Sequence, residues 1–126
     1  MRRVLVDTSV WVDHFRQHND GLASLLTLDL VMTHPMVVGE LACGTPPSRS
    51  RTLADLGRLD SARQPTMGEV MAFIEREQLF GLGCALVDIT LLASALLTAG
   101  VELWTLDRRL SELAERFAVL HRPALH

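Results

Sequence analysis

Lysine is absent from this 126-residue chain: all twelve basic side chains are arginine, against fifteen Asp and Glu, for a formal net charge of −3. That balance does not announce a nucleic-acid partner. Only two cysteines occur, Cys43 and Cys84, both in apolar surroundings. They are too few for a disulfide framework or a zinc site and read as buried thiols. The longest apolar stretch, Cys84 to Ala99, contains Asp88 and falls short of the ~20 residues of a membrane-spanning helix. No secretory signal is visible, because Met1-Arg2-Arg3 leads straight into a short strand-like run. A cytoplasmic protein is therefore expected. The glycines make no phosphate-cradling loop, Ser9 lacks the Gly-x-Ser-x-Gly elbow, and neither cysteine sits like an activated thiolate. There is no internal repeat, linker or low-complexity tract.

What is present is a chain 48% hydrophobic, enough to exclude disorder and to build one domain over residues 1–126. Strand and helix signals alternate. Val4 to Val6 reads as a buried strand, then a helix from about Val10 to Gln17 with Thr8 or Ser9 as cap. Asn19-Asp20-Gly21 marks a turn before a helix over Leu22 to Leu28, and Leu30 to Thr33 is the next strand. His34-Pro35 opens a helix that ends at Gly44. Ser48 to Leu59 is helical, with Arg49, Arg51 and Arg58 exposed. Thr66 and Glu69 match a capping box for Met67 to Gln78. Gly81 and Gly83 precede a helix from Ala85 to Ala99, ended by Gly100. Val101 to Thr105 is a strand, Asp107 to Phe117 a helix, and Ala118 to Leu120 a closing strand. Short strands each followed by a helix predict a parallel sheet covered on both faces.

Four acids stand out within apolar sequence: Asp7, Glu40, Asp88 and Asp107. A carboxylate so placed is costly unless it is paired or binds a metal. Asp7 and Asp107 follow strand runs and should emerge at the carboxyl edge of the sheet, where such folds bind ligands. Asp88 falls in the first turn of its helix, where the dipole favours an anion. Glu40 is mid-helix and is read as turning inward. Hard cations such as Mg²⁺ and Mn²⁺ prefer oxygen ligands, and a pair of them can drive phosphodiester hydrolysis. If a cation neutralised all four, eleven acids would face twelve arginines, a nearly balanced surface. Blander roles compete: Asp7 or Asp107 as helix caps, Asp88 as a dipole-stabilised acid, Glu40 as a surface acid. His34 reads as structural. His14, His18, His121 and His126 show no ligand spacing and read as solvated. Trp11 and Trp104 read as core or dimer residues, and Arg108 and Arg109 either as contacts for phosphate or as a solvated helix face.

The segments Val4-Leu5-Val6-Asp7-Thr8-Ser9-Val10-Trp11, Val38-Gly39-Glu40-Leu41, Val87-Asp88 with Leu91-Leu92-Ala93-Ser94-Ala95, and Leu103-Trp104-Thr105-Leu106-Asp107 resemble the motifs of the PIN-domain family. The similarity is closest to the VapC-type toxins of bacterial toxin–antitoxin systems and spans nearly the whole chain. It implies a three-layer α/β/α sandwich with a short-stranded parallel sheet. It also implies an endoribonuclease dependent on Mg²⁺ or Mn²⁺, a homodimer, and a small cognate antitoxin that forms a hetero-oligomer with it. Asp7, Glu40, Asp88 and Asp107 would be the acidic quartet, with Thr8, Ser9 and Thr105 supporting the metal shell. Many relatives carry another Asp or Asn two residues after the last acid, where this chain has Arg109. Two other classes compete. A receiver-like domain would want a late lysine, which is missing. A catalytically degenerate binding module would have no reason to keep a self-repelling cluster of acids.

Overall fold

Three short strands, β1 (Arg3–Val6), β2 (Val31–Met32) and β3 (Val101–Trp104), lie parallel in the order β2-β1-β3 in the computed structural model, which describes residues 2–124. Val4 and Leu5 pair with Val31 and Met32 on one side; Arg3 to Val6 pair with Val101 to Trp104 on the other. The β-branched and leucine residues of β1 are buried at Val4, Leu5 and Val6, which fits a strand covered on both faces. Chain order reverses direction at β1, so the end of β1 is the topological switch point where open α/β sheets bind ligands. Asp7 is the next residue.

Two isolated bridges widen the sheet. Thr33 bridges Ser61, and Leu103 bridges Leu120. The expected closing strand over Ala118 to Leu120 is thus a single bridge, because Ala118 takes a left-handed φ of 61° that interrupts extended backbone. Likewise the strand expected over Leu30 to Thr33 is regular only at Val31–Met32, and Thr33 turns its pairing to the 60–62 segment. That edge pairing was not visible in Asp60-Ser61-Ala62, which has no strand-like alternation.

Seven helices pack around this sheet among the described residues: α1 (Thr8–Gln17), α2 (Asp20–Thr27), α3 (Pro35–Ala42), α4 (Arg49–Gly57), α5 (Met67–Glu77), α6 (Leu86–Leu97) and α7 (Arg108–Arg116). Together they make the α/β sandwich expected. Start signals are largely realised. Asn19 accepts from the Leu22 N–H at 3.0 Å, so α2 begins inside the expected turn. Thr66 and Glu69 form the reciprocal capping box of α5. In α6, residues Ile89 to Ala95 are buried without a break, which explains why its sequence is apolar all round.

Several side chains differ from expectation. His14 accepts from the Asn19 N–H at Nδ1, 3.0 Å, and His121 pairs with Glu102 at 3.2 Å, so neither is simply solvated. His18 stands near Asp20 at 3.4 Å on the surface. His126 lies outside the described residues. Cys43 is exposed and Cys84 half-buried, and both are free thiols. The apolar residues of α2 and α3 turn inward: Leu22, Val37 and Leu41 are core, with Leu25, Leu26 and Val38 packed against it. Trp11 and Trp104 are core as well.

His34 caps α3. Its Nδ1 accepts from the Met36 N–H at 3.0 Å, which leaves Nε2 to carry the proton, buried and without a partner. Burial accordingly holds its pKa below the usual histidine value. Ser94 has a similar orphan, a fully buried hydroxyl with no partner. Ser94→Ala should therefore keep or raise the thermal midpoint, by up to about 1 kcal/mol of stability. Thermal melting checks this: a clear loss would mean the hydroxyl has a partner in solution.

Candidate active site

The end of β1 and the end of β3 are knitted together by hydrogen bonds. The Asp7 N–H donates to the Trp104 carbonyl at 2.9 Å. Asp7 is 5% exposed, and its Oδ2 accepts from the hydroxyls of Ser9 and Thr105, each at 2.7 Å. The Ser9 hydroxyl also accepts from the Leu106 N–H at 3.0 Å and lies 3.3 Å from the Thr105 hydroxyl. A hydroxyl holds one proton and two lone pairs, so Ser9 can serve the carboxylate and the backbone together. Asp7 itself precedes α1 without capping it through its side chain. The helix-cap reading of Asp7 is therefore not what its geometry supports.

Of the remaining three acids, Asp88 and Asp107 are each fixed by a local bond and Glu40 by one across helices. Asp107 caps α7 by accepting the Leu110 N–H at 2.9 Å through Oδ1. Asp88 sits at the third position of α6, and its Oδ2 accepts the N–H of Ala85, which has no side-chain acceptor to return the favour. Glu40 is exposed rather than inward-facing, because the inner face of α3 is filled by Val37 and Leu41. Its Oε1 accepts the Thr8 hydroxyl at 2.7 Å, which turns the side chain toward α1 and the end of β1. Val37 and Leu41 centre the buried face of α3, and Glu40, about 100° round the helix from Leu41, falls on its flank.

A common pattern links the four. Each carboxylate gives one oxygen to the protein, and among the described residues its second oxygen has no hydrogen-bond partner. None of the four forms an ion pair with Arg or His among the described residues, although seven such pairs involving other acids are present. The acids feel one another. Burial raises the Asp88 pKa most, the Ala85 bond opposes it, and the charges of Asp7, Asp107 and Glu40 push it further up. Cys84 lies in the same field: burial first, then Asp88 and Asp107, raise its thiol pKa, while Arg109 draws it down. Cys84 is thus held protonated beside the site, and its setting was not singled out in the sequence.

Among the described residues no three Asp, Glu, His or Cys side chains close into a ready metal cage. Coulomb coupling reaches further than a coordination bond, so the acids form a neighbourhood of oxygen donors without a closed shell. That suits Mg²⁺ or Mn²⁺, which keep waters between themselves and part of their carboxylate set. The donor set fits such an ion: hard oxygens only, uncompensated charge, and one free oxygen per acid.

Arg108 pairs with Glu112 at 3.2 Å on the surface of α7. Arg109 donates to the Gly83 carbonyl at 3.3 Å. Together with Asp107 and Glu112 they line an open hollow of about 530 Å³. On the other side, Thr8 and Glu40 line a second hollow of about 470 Å³ between α1 and the end of α3, whose wall includes Val12, Phe15, Arg16 and Pro46.

The sequence profile of the PIN domain matches residues 4–116. The chain belongs to the PIN-domain family. Among curated proteins it is similar to ribonuclease VapC32 of Mycobacterium tuberculosis, in strains CDC 1551 / Oshkosh and ATCC 25618 / H37Rv. Identity is 41% over 107 residues, covering 85% of this chain and 86% of each relative. The match takes in β1, the helices and β3 through α7, so all four acids fall within the PIN domain. No described helix of this PIN domain is long and apolar enough to cross a membrane.

Proposed function

We propose that the chain is an endoribonuclease dependent on Mg²⁺ or Mn²⁺ and the toxin of a toxin–antitoxin pair. The observation that carries this is the set of four carboxylates, each with one oxygen tied to the protein and one free, and none in an ion pair with Arg or His among the described residues. A protein keeps such a repelling cluster at a sheet's ligand edge when a bound cation repays it. The name of the M. tuberculosis relative supports RNA as the substrate. When bound, the divalent ion polarises the scissile phosphate and lowers the pKa of its water.

The protein's own residues divide the remaining work. Asp7 and Asp88 anchor the site, and Asp107 and Glu40 complete the oxygen set. Ser9 and Thr105 orient Asp7, and Thr8 orients Glu40. Arg108 and Arg109 border the hollow beside Asp107 and are placed to meet phosphate oxygens of the strand, a task suited to the guanidinium fork. A cytoplasmic homodimer belongs to the same reading, with Met67, Met71, Leu96 and Leu97 as exposed apolar residues for the contact. The antitoxin would enter through the hollow beside Thr8 and Glu40. Its apolar segment would lie on Val12, Phe15 and Pro46, and an arginine would reach the acids.

Purified, partner-free protein incubated with structured RNA should cleave in Mg²⁺ or Mn²⁺ and stop in chelator. Cleavage that persists in chelator would overturn the metal requirement. No cleavage of diverse RNAs in either metal would favour a binding module. Growth arrest on expression should vanish with Asp7→Asn and be suppressed by the neighbouring small reading frame; arrest by Asp7→Asn would show toxicity without catalysis.

A further inference from the structure

Asp88 and Asp107 are each held by a bond to their own helix start, while α6 and α7 pack on each other through the core. Both sit in the first turn of a helix or just before it: Asp88 accepts the Ala85 N–H at the start of α6, and Asp107 accepts the Leu110 N–H at the start of α7. Each is well fixed to its own helix. Nothing in those bonds fixes one helix start against the other.

One side-chain hydrogen bond among the described residues joins the start of α7 to the turn that leads into α6: Arg109 Nη1 to the Gly83 carbonyl, 3.3 Å. Gly83 is shaped for it. Its φ is +80°, and a Cβ there would stand 2.4 Å from Arg109 Nη1, 2.7 Å from Cζ and 3.0 Å from Nε. The flat guanidinium therefore lies in the space a side chain would fill. Gly81 has nearly the same conformation, φ +73°, but open space around its Cβ position. The two glycines thus separate a backbone requirement from a contact requirement.

We propose that Arg109 is a positioning residue whose guanidinium latches the turn at Gly83 to the first turn of α7 and so holds Asp88 in register with Asp107. The inference rests on the reading that these acids share a cation, and it assigns Arg109 a role toward the site itself in addition to any phosphate contact. The bond alone is exposed and long, and an exposed contact of that kind is weak. The close seat over Gly83 is what makes the arrangement specific, because the fork fits only against a residue without a side chain.

The test compares Arg109→Ala, Arg109→Lys, Gly83→Ala, Gly81→Ala and the Arg109→Ala/Gly83→Ala double variant in two measurements. The first is hydrogen exchange at the Ala85 amide of the metal-free protein, which donates to Asp88; the second is calorimetric Mn²⁺ affinity. A latch predicts faster exchange at that amide in Arg109→Ala and Gly83→Ala. It also predicts an affinity loss of about tenfold for each, the usual scale for residues that orient metal ligands. The double variant should be no worse than Gly83→Ala alone, which carries the same backbone strain at φ +80°. Arg109→Lys should lose affinity too, because it keeps the charge and not the fork, while Gly81→Ala should stay near wild type. If Arg109→Ala tightened Mn²⁺ binding, or Gly83→Ala and Gly81→Ala behaved alike, the latch would be wrong. If wild-type protein took no Mn²⁺ at all, the shared-cation reading would fail first. The exchange measurement would still decide the latch, with unchanged rates in Arg109→Ala and Gly83→Ala overturning it.

Discussion

Asp7→Asn and Asp88→Asn are each expected to reduce RNA cleavage by at least about 100-fold, the loss that changes behind a metal ligand alone can reach. Their effects on the metal-free fold should differ. Asp88 carries a carboxyl whose pKa is raised chiefly by burial and then by Asp7, Asp107 and Glu40. A neutral isostere removes both penalties and can still accept the Ala85 N–H, so the melting temperature should hold or rise. Asp7 accepts two hydroxyls at 2.7 Å, and its charge strengthens both bonds. Asp7→Asn loses that assistance and gains relief from repulsion, for a net change within about 1 kcal/mol. Cleavage assays beside thermal melts distinguish the outcomes. A sharp loss of stability in both variants would make these acids structural.

Saturating Mn²⁺ should raise the wild-type melting temperature by about 10 °C, from the mass-action stabilisation at about 100 times the dissociation constant. Neither asparagine variant should gain more than a small part of this. The metal-free protein carries a related pH signature. Because the folded-state pKa of Asp88 is raised, the folded protein binds a proton there more readily than the unfolded chain. In the window between the usual aspartate value and the raised one, Asp88 therefore makes stability fall as pH rises. His34 acts oppositely on the acid side of its usual value. Its pKa is lowered by burial, so the unfolded chain takes up the proton first and stability falls as pH drops. Subtracting the melting profile of Asp88→Asn from that of wild type isolates the Asp88 slope. That slope should vanish when Mn²⁺ is present, since a cation holds the carboxylate ionised.

Much of this was legible in the residues. β1 and β3 were readable because short β-branched and leucine runs ended in acids. The α5 capping box was readable because Thr66 and Glu69 have the required spacing. The family resemblance rested on the same segments, and the matched PIN profile covers them. Side-chain direction was harder. Glu40 was expected inside, and its exposure followed from a rotation that Val37 and Leu41 decide. Cys43 was expected buried in apolar sequence, but it lies past the end of α3 and is exposed. Edge pairing at Ser61 was illegible, since a single bridge leaves no periodicity to read, whereas the expected strand over Ala118 to Leu120 shrinks to the bridge at Leu120. The Gly83 and Arg109 contact lies between segments 26 residues apart and has no local signature.

The central claim is that the free oxygens of Asp7, Glu40, Asp88 and Asp107 share a divalent cation. Anomalous diffraction from crystals grown or soaked in Mn²⁺ tests it most directly. The expected result is a manganese peak at the carboxyl end of β1, bound by Asp7 and Asp88 through the oxygens not engaged with Thr105 and Ala85, with Asp107 and Glu40 reached directly or through water. A peak elsewhere, or none at Mn²⁺ concentrations that support cleavage, would contradict it.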